Sequence, residues 1–403
     1  MGGMEAILEE KDFCNFGEDL LNPYARTSLR STSSEDSDSL RAQVRKYVPR
    51  EPGVYGMLDP KDRLIYVGKS KCLRNRLLSY FLPNNEEDKA GRIVQSTKSI
   101  IWEPQPSDFA ALLREQFLIR HFQPRFNVQG IPRRQQAIFI CLGRQPAEQF
   151  YTSKKSDANA DFVLGPLTGA GRANRAVEVL NRIYQLRDCN STQPCSFTEQ
   201  MQLFDIELRP GCIRLEIKSC LGPCISACSR KEYDAQVDAA RKFLRGQSDY
   251  PVERVETMMA EAATNLHFEQ ASVLREDLRC VRWLMYRTQD IATARQNYTF
   301  VYPVESYPET GRSQCIWYLI RHGMIEGAIA KPRNSDDKTQ TRELLTRWYK
   351  SDNSIGSGFV ARPESLALVT SWFKKNGREL KKTFKPTPKR LDRMLSAQET
   401  ANF

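Results

Sequence analysis

"GVYGMLDPKDRLIYVGKS", residues 53–70, closes in Gly-Lys-Ser as a phosphate-binding loop does. Such a loop needs its first glycine five residues before Gly68, and Arg63 stands there. Without that glycine the backbone cannot wrap a phosphate, so a nucleotide site is set aside. What remains is two strand-like runs, "GVYGMLD" and "RLIYVG", joined by turn residues Asp59-Pro60-Lys61-Asp62. Each run holds a tyrosine, Tyr55 and Tyr66. Two-residue alternation lets residues two apart share a face, so a tyrosine in each strand can meet at one site.

Outward from the hairpin, "CLRNRLLSYF" has helical spacing at Leu73, Leu77 and Phe81. "SDFAALLREQFLIRHF" predicts a second helix, with Ser107 as N-cap and Asp108 in its first turn. "QAIFICLG" predicts a closing strand. Lys69 and Arg76 lie one heptad apart and are expected on one side of a helix. Glu115 sits among Leu112, Leu118, Ile119 and Phe122 on the helical wheel. A carboxylate in such a face is costly unless a cation pairs with it. Asn127 follows Gln123-Pro124-Arg125-Phe126. The pattern predicts an α+β domain over 44–143, a short antiparallel sheet with flanking helices.

The ordered set Tyr55, Tyr66, Lys69, Arg76, Glu115 and Asn127 resembles the GIY-YIG nucleases. More specifically, "PGVY" with "IYVGKSKCLRNRLLSYF" and "ALLREQFLIRHFQPRFNV" is similar to the N-terminal nuclease of the UvrC family of excision-repair endonucleases. The resemblance implies metal-assisted hydrolysis of a DNA phosphodiester, 3′ to a lesion. Tyr55 or Tyr66 would help activate water, and Glu115 would hold one Mg²⁺ or Mn²⁺. Lys69 and Arg76 would offset charge in the transition state, and Asn127 would orient the site.

The rest of the chain agrees with a polyanionic partner. The formal charge is +11, with −6 on residues 1–40 and hence +17 on the remainder. No apolar run reaches the length of a membrane span, and no secretory pattern opens the chain. A cytoplasmic protein with no membrane partner is expected. Residues 1–43, acidic and Ser-rich, are expected to form a disordered tail. Residues 144–248 are expected to form a linker, loose from Arg144 to Ala160 and Cys-rich further on.

Six of eleven cysteines fall between 189 and 228, a cluster that suggests metal in a cytosolic chain. "RIYQLRDC" and "PGCIRLEIKSCLGPC" resemble the segment that follows the nuclease in the UvrC family. By that resemblance the ligands of a [4Fe–4S] cluster, with Zn²⁺ as alternative, are Cys189, Cys212, Cys220 and Cys224. The gap after Cys189 is longer than in the family, and Cys195 or Cys228 could substitute. Two amphipathic runs in 249–288 meet near His267-Phe268 and predict a helical hairpin. It resembles the UVR motif through which the family contacts UvrB.

Residues 289–380 are expected to form a small α/β region and 381–403 a basic tail. "QCIWYLIRHGMIEGAIAKP" is similar to the first strands of the family's second nuclease, but no set of acids with a histidine follows. One active site is therefore expected, as in the short Cho-type members. Two other readings stand beside this one, a non-catalytic DNA and UvrB adaptor and a GIY-YIG nuclease of another DNA pathway. The full catalytic set weighs against the first, and the cysteine segment and hairpin against the second.

Overall fold

The computed structural model describes residues 13–25, 30–34, 36–82, 89–128, 137–143, 145–155, 157–189, 193–201, 211–306, 314–350, 362 and 365–396. The chain divides into two compact units, 1–130 with 298–403, and 131–297.

In chain order, the first unit begins with β1 (Arg30–Ser33), α1 (Ser37–Tyr47), β2 (Gly53–Leu58) and β3 (Leu64–Ser70). It continues with α2 (Leu73–Ser79), α3 (Lys89–Gln95), β4 (Ser99–Pro104), α4 (Asp108–Phe122) and α5 (Arg125–Val128). The strands form an antiparallel sheet in the order β1-β4-β2-β3. The β2–β3 turn forms as expected, with Asp59 Oδ1 accepting from Lys61 N and Asp62 at φ 57. Helix α4 starts as expected too. Ser107 accepts from Ala110 N, and Gln123 ends the helix in a left-handed conformation before Pro124.

The acidic tail is a correction where it is described. Phe16 is buried, β1 pairs with β4, and α1 buries Leu40 and Val44. The cause is Arg114, buried on α4, which donates to the carbonyls of Phe16, Gly17 and Glu18 and pairs with Glu103. A short polar segment is thus held by its backbone, which composition does not report.

The second unit opens with β5 (Ala137–Gly143), β6 (Gln149–Ser153) and β7 (Ala160–Thr168), a sheet ordered β6-β5-β7. Ala137–Gly143 therefore does not close the first sheet, and the expected loose stretch 144–160 carries the strand Gln149–Ser153 in its middle. Helices α6 (Ala170–Ile183), α7 (Thr198–Met201), α8 (Ile213–Glu216) and α9 (Arg230–Leu244) follow. The hairpin is α10 (Tyr250–Thr264) and α11 (Phe268–Asn297), turning at Leu266 with φ 61. Asp277 on α11 is fully buried and accepts from Arg175 at 2.5 Å and Arg182 at 2.6 Å, both on α6. A buried carboxylate so paired fixes where the hairpin sits on its own unit. Its turn stays apolar and exposed, with Leu266 at 70% and Phe268 at 68% accessibility.

The chain then returns to the first unit with β8 (Phe300–Ser306), β9 (Gln314–Arg321) and β10 (Met324–Ala330), ordered β10-β9-β8. Helices α12 (Ser335–Lys350), α13 (Leu366–Lys375), α14 (Gly377–Leu380) and α15 (Pro388–Ser396) complete it. Along β9, Ile316, Tyr318 and Ile320 enter one core while Cys315, Trp317 and Leu319 enter another. A sheet with a core on each face gives this two-residue period. The first core contains Phe109, Ala110 and Leu113 of α4 with Val369 and Phe373 of α13. Helix α4 thus belongs to both the N-terminal lobe, with Ala111 and Leu118 in the core under β2 and β3, and the C-terminal lobe.

The basic tail is also corrected. Val301 and Phe384 exchange backbone hydrogen bonds at 2.8 and 2.9 Å, and α15 buries Leu391 and Leu395. Among the described acids of this lobe, Glu326 is buried and held by Arg321 and Trp348, and Asp392 pairs with Arg342. Asp352 lies outside the described residues.

Candidate active site

Strands β2 and β3 set the two signature tyrosines diagonally, with Tyr55 opposite Gly68 and Met57 opposite Tyr66. A Cβ on Gly68 would lie 2.5 Å from Tyr55 Oη and 2.6 Å from its Cζ. The glycine is there because the Tyr55 ring lies across its α-carbon, not for a left-handed backbone. A third tyrosine, Tyr80 just after α2, completes a triangle of rings with centroids 6.1 to 6.2 Å apart. The Tyr55 and Tyr80 hydroxyls are 2.9 Å apart. Sequence reading missed Tyr80, because "LLSYF" looks like an apolar helix end. Its polar tip, four residues after Arg76, was the available signal.

Arg76 donates through Nε to Tyr55 Oη and through Nη2 to Tyr80 Oη, each at 3.4 Å, and lies over the Tyr80 ring. It does not share a helix with Lys69, contrary to expectation. Lys69 is on β3, Arg76 is on α2, and a tight turn in which Ser70 bonds Cys72 separates them. The two converge through the sheet and helix packing, since Glu115 feels both charges.

Glu115 accepts from the Lys69 backbone N–H at 2.9 Å through Oε1. Oε2 has no hydrogen bond among the described residues. Burial pushes its carboxyl above the usual range. The Lys69 N–H and ammonium oppose that, the Asp108 carboxylate adds to it, and Arg76 opposes it. The expected cation is therefore spread over two residues, and the only direct bond comes from an amide. The Lys69 ammonium is 2.6 Å from Asp108 Oδ1, a neighbour the sequence reading placed only as a helix-start acid.

Asn127 acts on the strand. Its Oδ1 accepts from Val67 N at 2.7 Å and its Nδ2 donates to Val67 O at 2.8 Å. On the edge strand of the sheet this side-chain amide replaces a missing neighbour strand. Burial raises the phenols of Tyr55, Tyr66 and Tyr80 well above the ordinary range. At neutral pH all three are neutral hydrogen-bonding groups. Tyr55 is fully buried, whereas Tyr66 is partly exposed and lies within electrostatic reach of Glu115.

In the second unit, Cys189, Cys212, Cys220 and Cys224 lie in mutual electrostatic range. Burial first, then Cys189, Cys224 and Cys212, push the Cys220 thiol to about 11, against a hydrogen bond from Gly222 N. Burial raises Cys224 too, with Cys212, Cys189 and Cys195 adding to it. Cys195 is held by Arg187 Nη1 at 2.9 Å. Cys228, pushed to about 12, feels Cys220, Glu232, Glu199 and Cys195 after burial. Among the described residues, no three His, Cys, Asp or Glu side chains close around a single-ion position.

Residues 51–128 match the UvrC-like GIY-YIG domain, and residues 137–243 match the UvrC/Cho excinuclease middle domain. The UvrABC system protein C of Legionella pneumophila (strain Lens) is 30% identical over 286 residues, 69% of this chain and 43% of the relative. That of Idiomarina loihiensis is 25% identical over 323 residues, 79% of this chain and 50% of the relative. The chain spans half or less of the length of these relatives. Among solved structures, the GIY-YIG N-terminal endonuclease domain of UvrC from Thermotoga maritima, bound to its catalytic divalent cation magnesium, is 33% identical. The match covers 23% of this chain and 98% of that one, with a TM-score of 0.21. Residues 51–128 and 137–243 are thus similar, in order along the chain, to the nuclease and middle domains of UvrC/Cho proteins.

Proposed function

We propose that this chain is a UvrC/Cho-type metal-dependent DNA endonuclease of nucleotide excision repair, cutting 3′ to a lesion in a UvrB–DNA complex. The observation that carries the reading is the meeting of Tyr55, Tyr66, Tyr80, Lys69, Arg76 and Glu115 in one corner of the first unit. Glu115 fits a hard divalent ion, since one oxygen is fixed by an amide and the other is open. Mg²⁺ binds through one or two carboxylates and takes its other ligands from water and phosphate. Mg²⁺ or Mn²⁺ there would neutralise phosphate charge and acidify water.

The residues divide the work. Tyr66, beside Glu115, is the phenol that meets the attacking water and accepts its hydrogen bond. Tyr55, sealed from solvent, holds Tyr80 and Arg76 in place. Arg76 meets the scissile phosphate, where fixed positive charge stabilises the transition state. Lys69 adds a second cation, aimed by Asp108. Water oxygen bonds to phosphorus and one phosphate ester bond breaks; the neutral Tyr66 phenol relays the water proton, passing its own on to solvent as it takes the new one, and the leaving oxygen takes a proton from solvent. Asn127 keeps β3, and with it Tyr66 and Lys69, in register.

The four cysteines support a [4Fe–4S] cluster, with Zn²⁺ as the alternative. The raised Cys220 and Cys224 thiols are neutral until a cation draws off their protons, so loading would release protons. The exposed Leu266 and Phe268 at the hairpin turn would contact UvrB, as apolar anchors do in helix-mediated docking.

The test is incubation of the purified chain with UvrA, UvrB, Mg²⁺ and an end-labelled duplex carrying one bulky lesion. A discrete UvrB-dependent nick on the 3′ side is expected. DNA and UvrB bound without any nick would leave an adaptor.

A further inference from the structure

We infer that the C-terminal lobe carries a second binding surface for the phosphate backbone of duplex DNA, built from residues 374–393. This stretch holds nine Lys/Arg against two acids. It is folded. It runs from the end of α13 through α14, bonds to the edge strand β8 at Val301–Phe384, and ends in α15.

Both acids are engaged, Glu379 with Lys382 and the Tyr302 hydroxyl, and Asp392 with Arg342. Lys375, Arg378, Lys381, Lys385, Lys389 and Arg393 are exposed and make no ion pair with a described carboxylate. A folded surface that keeps so many unpaired cations together is repulsive by itself and is relieved by a polyanion. The apolar face of α15 is in the core through Leu391 and Leu395. No apolar side is left for a bilayer, which amphipathic membrane helices require. The choice of duplex DNA rests on the nuclease reading.

The surface is mechanically tied to the candidate active site. Helix α13 packs Val369 and Phe373 against Phe109 and Leu113, on the helix that carries Glu115. A duplex gripped along 374–393 is therefore held by the same rigid body that would cut it. Lysines and arginines spread over a turn and two helices fit backbone contacts, which position without reading sequence.

The test measures binding of a short labelled duplex by the full chain carrying Glu115→Gln, as a function of salt. Lys375→Gln, Arg378→Gln, Lys381→Gln and Lys385→Gln are combined in one variant, and Lys389→Gln with Arg393→Gln in another. A charge control combines Lys231→Gln, Arg254→Gln, Arg275→Gln and Arg287→Gln in the second unit, and thermal melting verifies folding of each. The expected result is a tenfold or greater loss of affinity in the first variant and a smaller loss in the second. The salt slope should fall by about 0.9 for each phosphate contact removed.

Unchanged affinity and slope would overturn the surface, as would an equal loss in the charge control. Preference for anionic lipid vesicles over duplex would overturn it too. A wild-type chain that binds through this stretch yet never cuts would defeat the nuclease reading and leave the surface standing. Cutting with a fully binding patch variant would do the reverse.

Discussion

The tyrosine site and the cysteine region are both dense in reactive side chains, but they are finished differently. The first is closed by protein bonds alone. Tyr55 meets Tyr80 hydroxyl to hydroxyl, Arg76 reaches both, and Asn127 braces the strand beneath. In the second, burial and then neighbouring thiols raise the proton affinity of Cys220 and Cys224, and Gly222 supplies an amide to Cys220. A site completed by its own hydrogen bonds is ready before its ion arrives. A site of neighbouring buried thiols would be completed by the cation proposed for it.

The sharpest way to break the comparison is Glu115→Gln. Incision should fall about 10³-fold or more, since one neutral oxygen replaces the ion's carboxylate. The melting temperature should change little, and a gel assay of the lesion duplex with a parallel melt reads both. A comparable loss of fold would mean that Glu115 is structural. Next comes Tyr66→Phe against Tyr55→Phe. The first should cost roughly 10²-fold in rate, as loss of a proton-transfer group does. The second should act mainly through the position of Arg76, and equal effects would remove the distinction drawn between them.

Cys220→Ser should lower the melting temperature of the second unit by several degrees and abolish any visible charge-transfer band. Metal content by mass spectrometry separates iron from zinc, and no change in either would leave the thiols as plain core groups. Chelation should mimic this variant without moving the first unit's transition.

The smallest effect is in pH. Burial raises the Glu115 carboxyl, so without metal its contribution favours folding at acid pH and fades as pH rises through the raised value. Metal-free Glu115→Gln should therefore melt slightly higher than wild type at neutral pH and equally at acid pH. With Mg²⁺ the wild-type order should reverse, because the ion requires the charged form.

Most of the candidate site was legible because its members follow turn and strand chemistry that a short window contains. Tyr55, Tyr66 and Gly68 lie in one hairpin, and Ser107 announces the helix that brings Glu115. Tyr80 escaped because a tyrosine at an apolar helix end reads as core. The Lys69 and Arg76 geometry failed because a heptad spacing spans a strand, a turn and a helix start here. Residues 13–25 and 381–393 were taken for tails because both are polar. Their order depends on partners far away in sequence, Arg114 for the first and Val301 for the second. The β5 strand was visible as a strand, but its sheet was not, since its hairpin partner β6 lies in the polar stretch 144–160 that reads as loose.

The first unit is interrupted by the whole second unit, and this has a consequence during synthesis. Helix α4 leaves the ribosome with Phe109 and Leu113 finished, but the strands that cover them begin only at Phe300. At roughly 5–20 residues per second, that interval lasts on the order of ten seconds or more. Through it the nascent chain carries the uncovered apolar face of Phe109, Ala110 and Leu113 on the helix of Glu115, so the middle unit is made while the outer one waits for its second half.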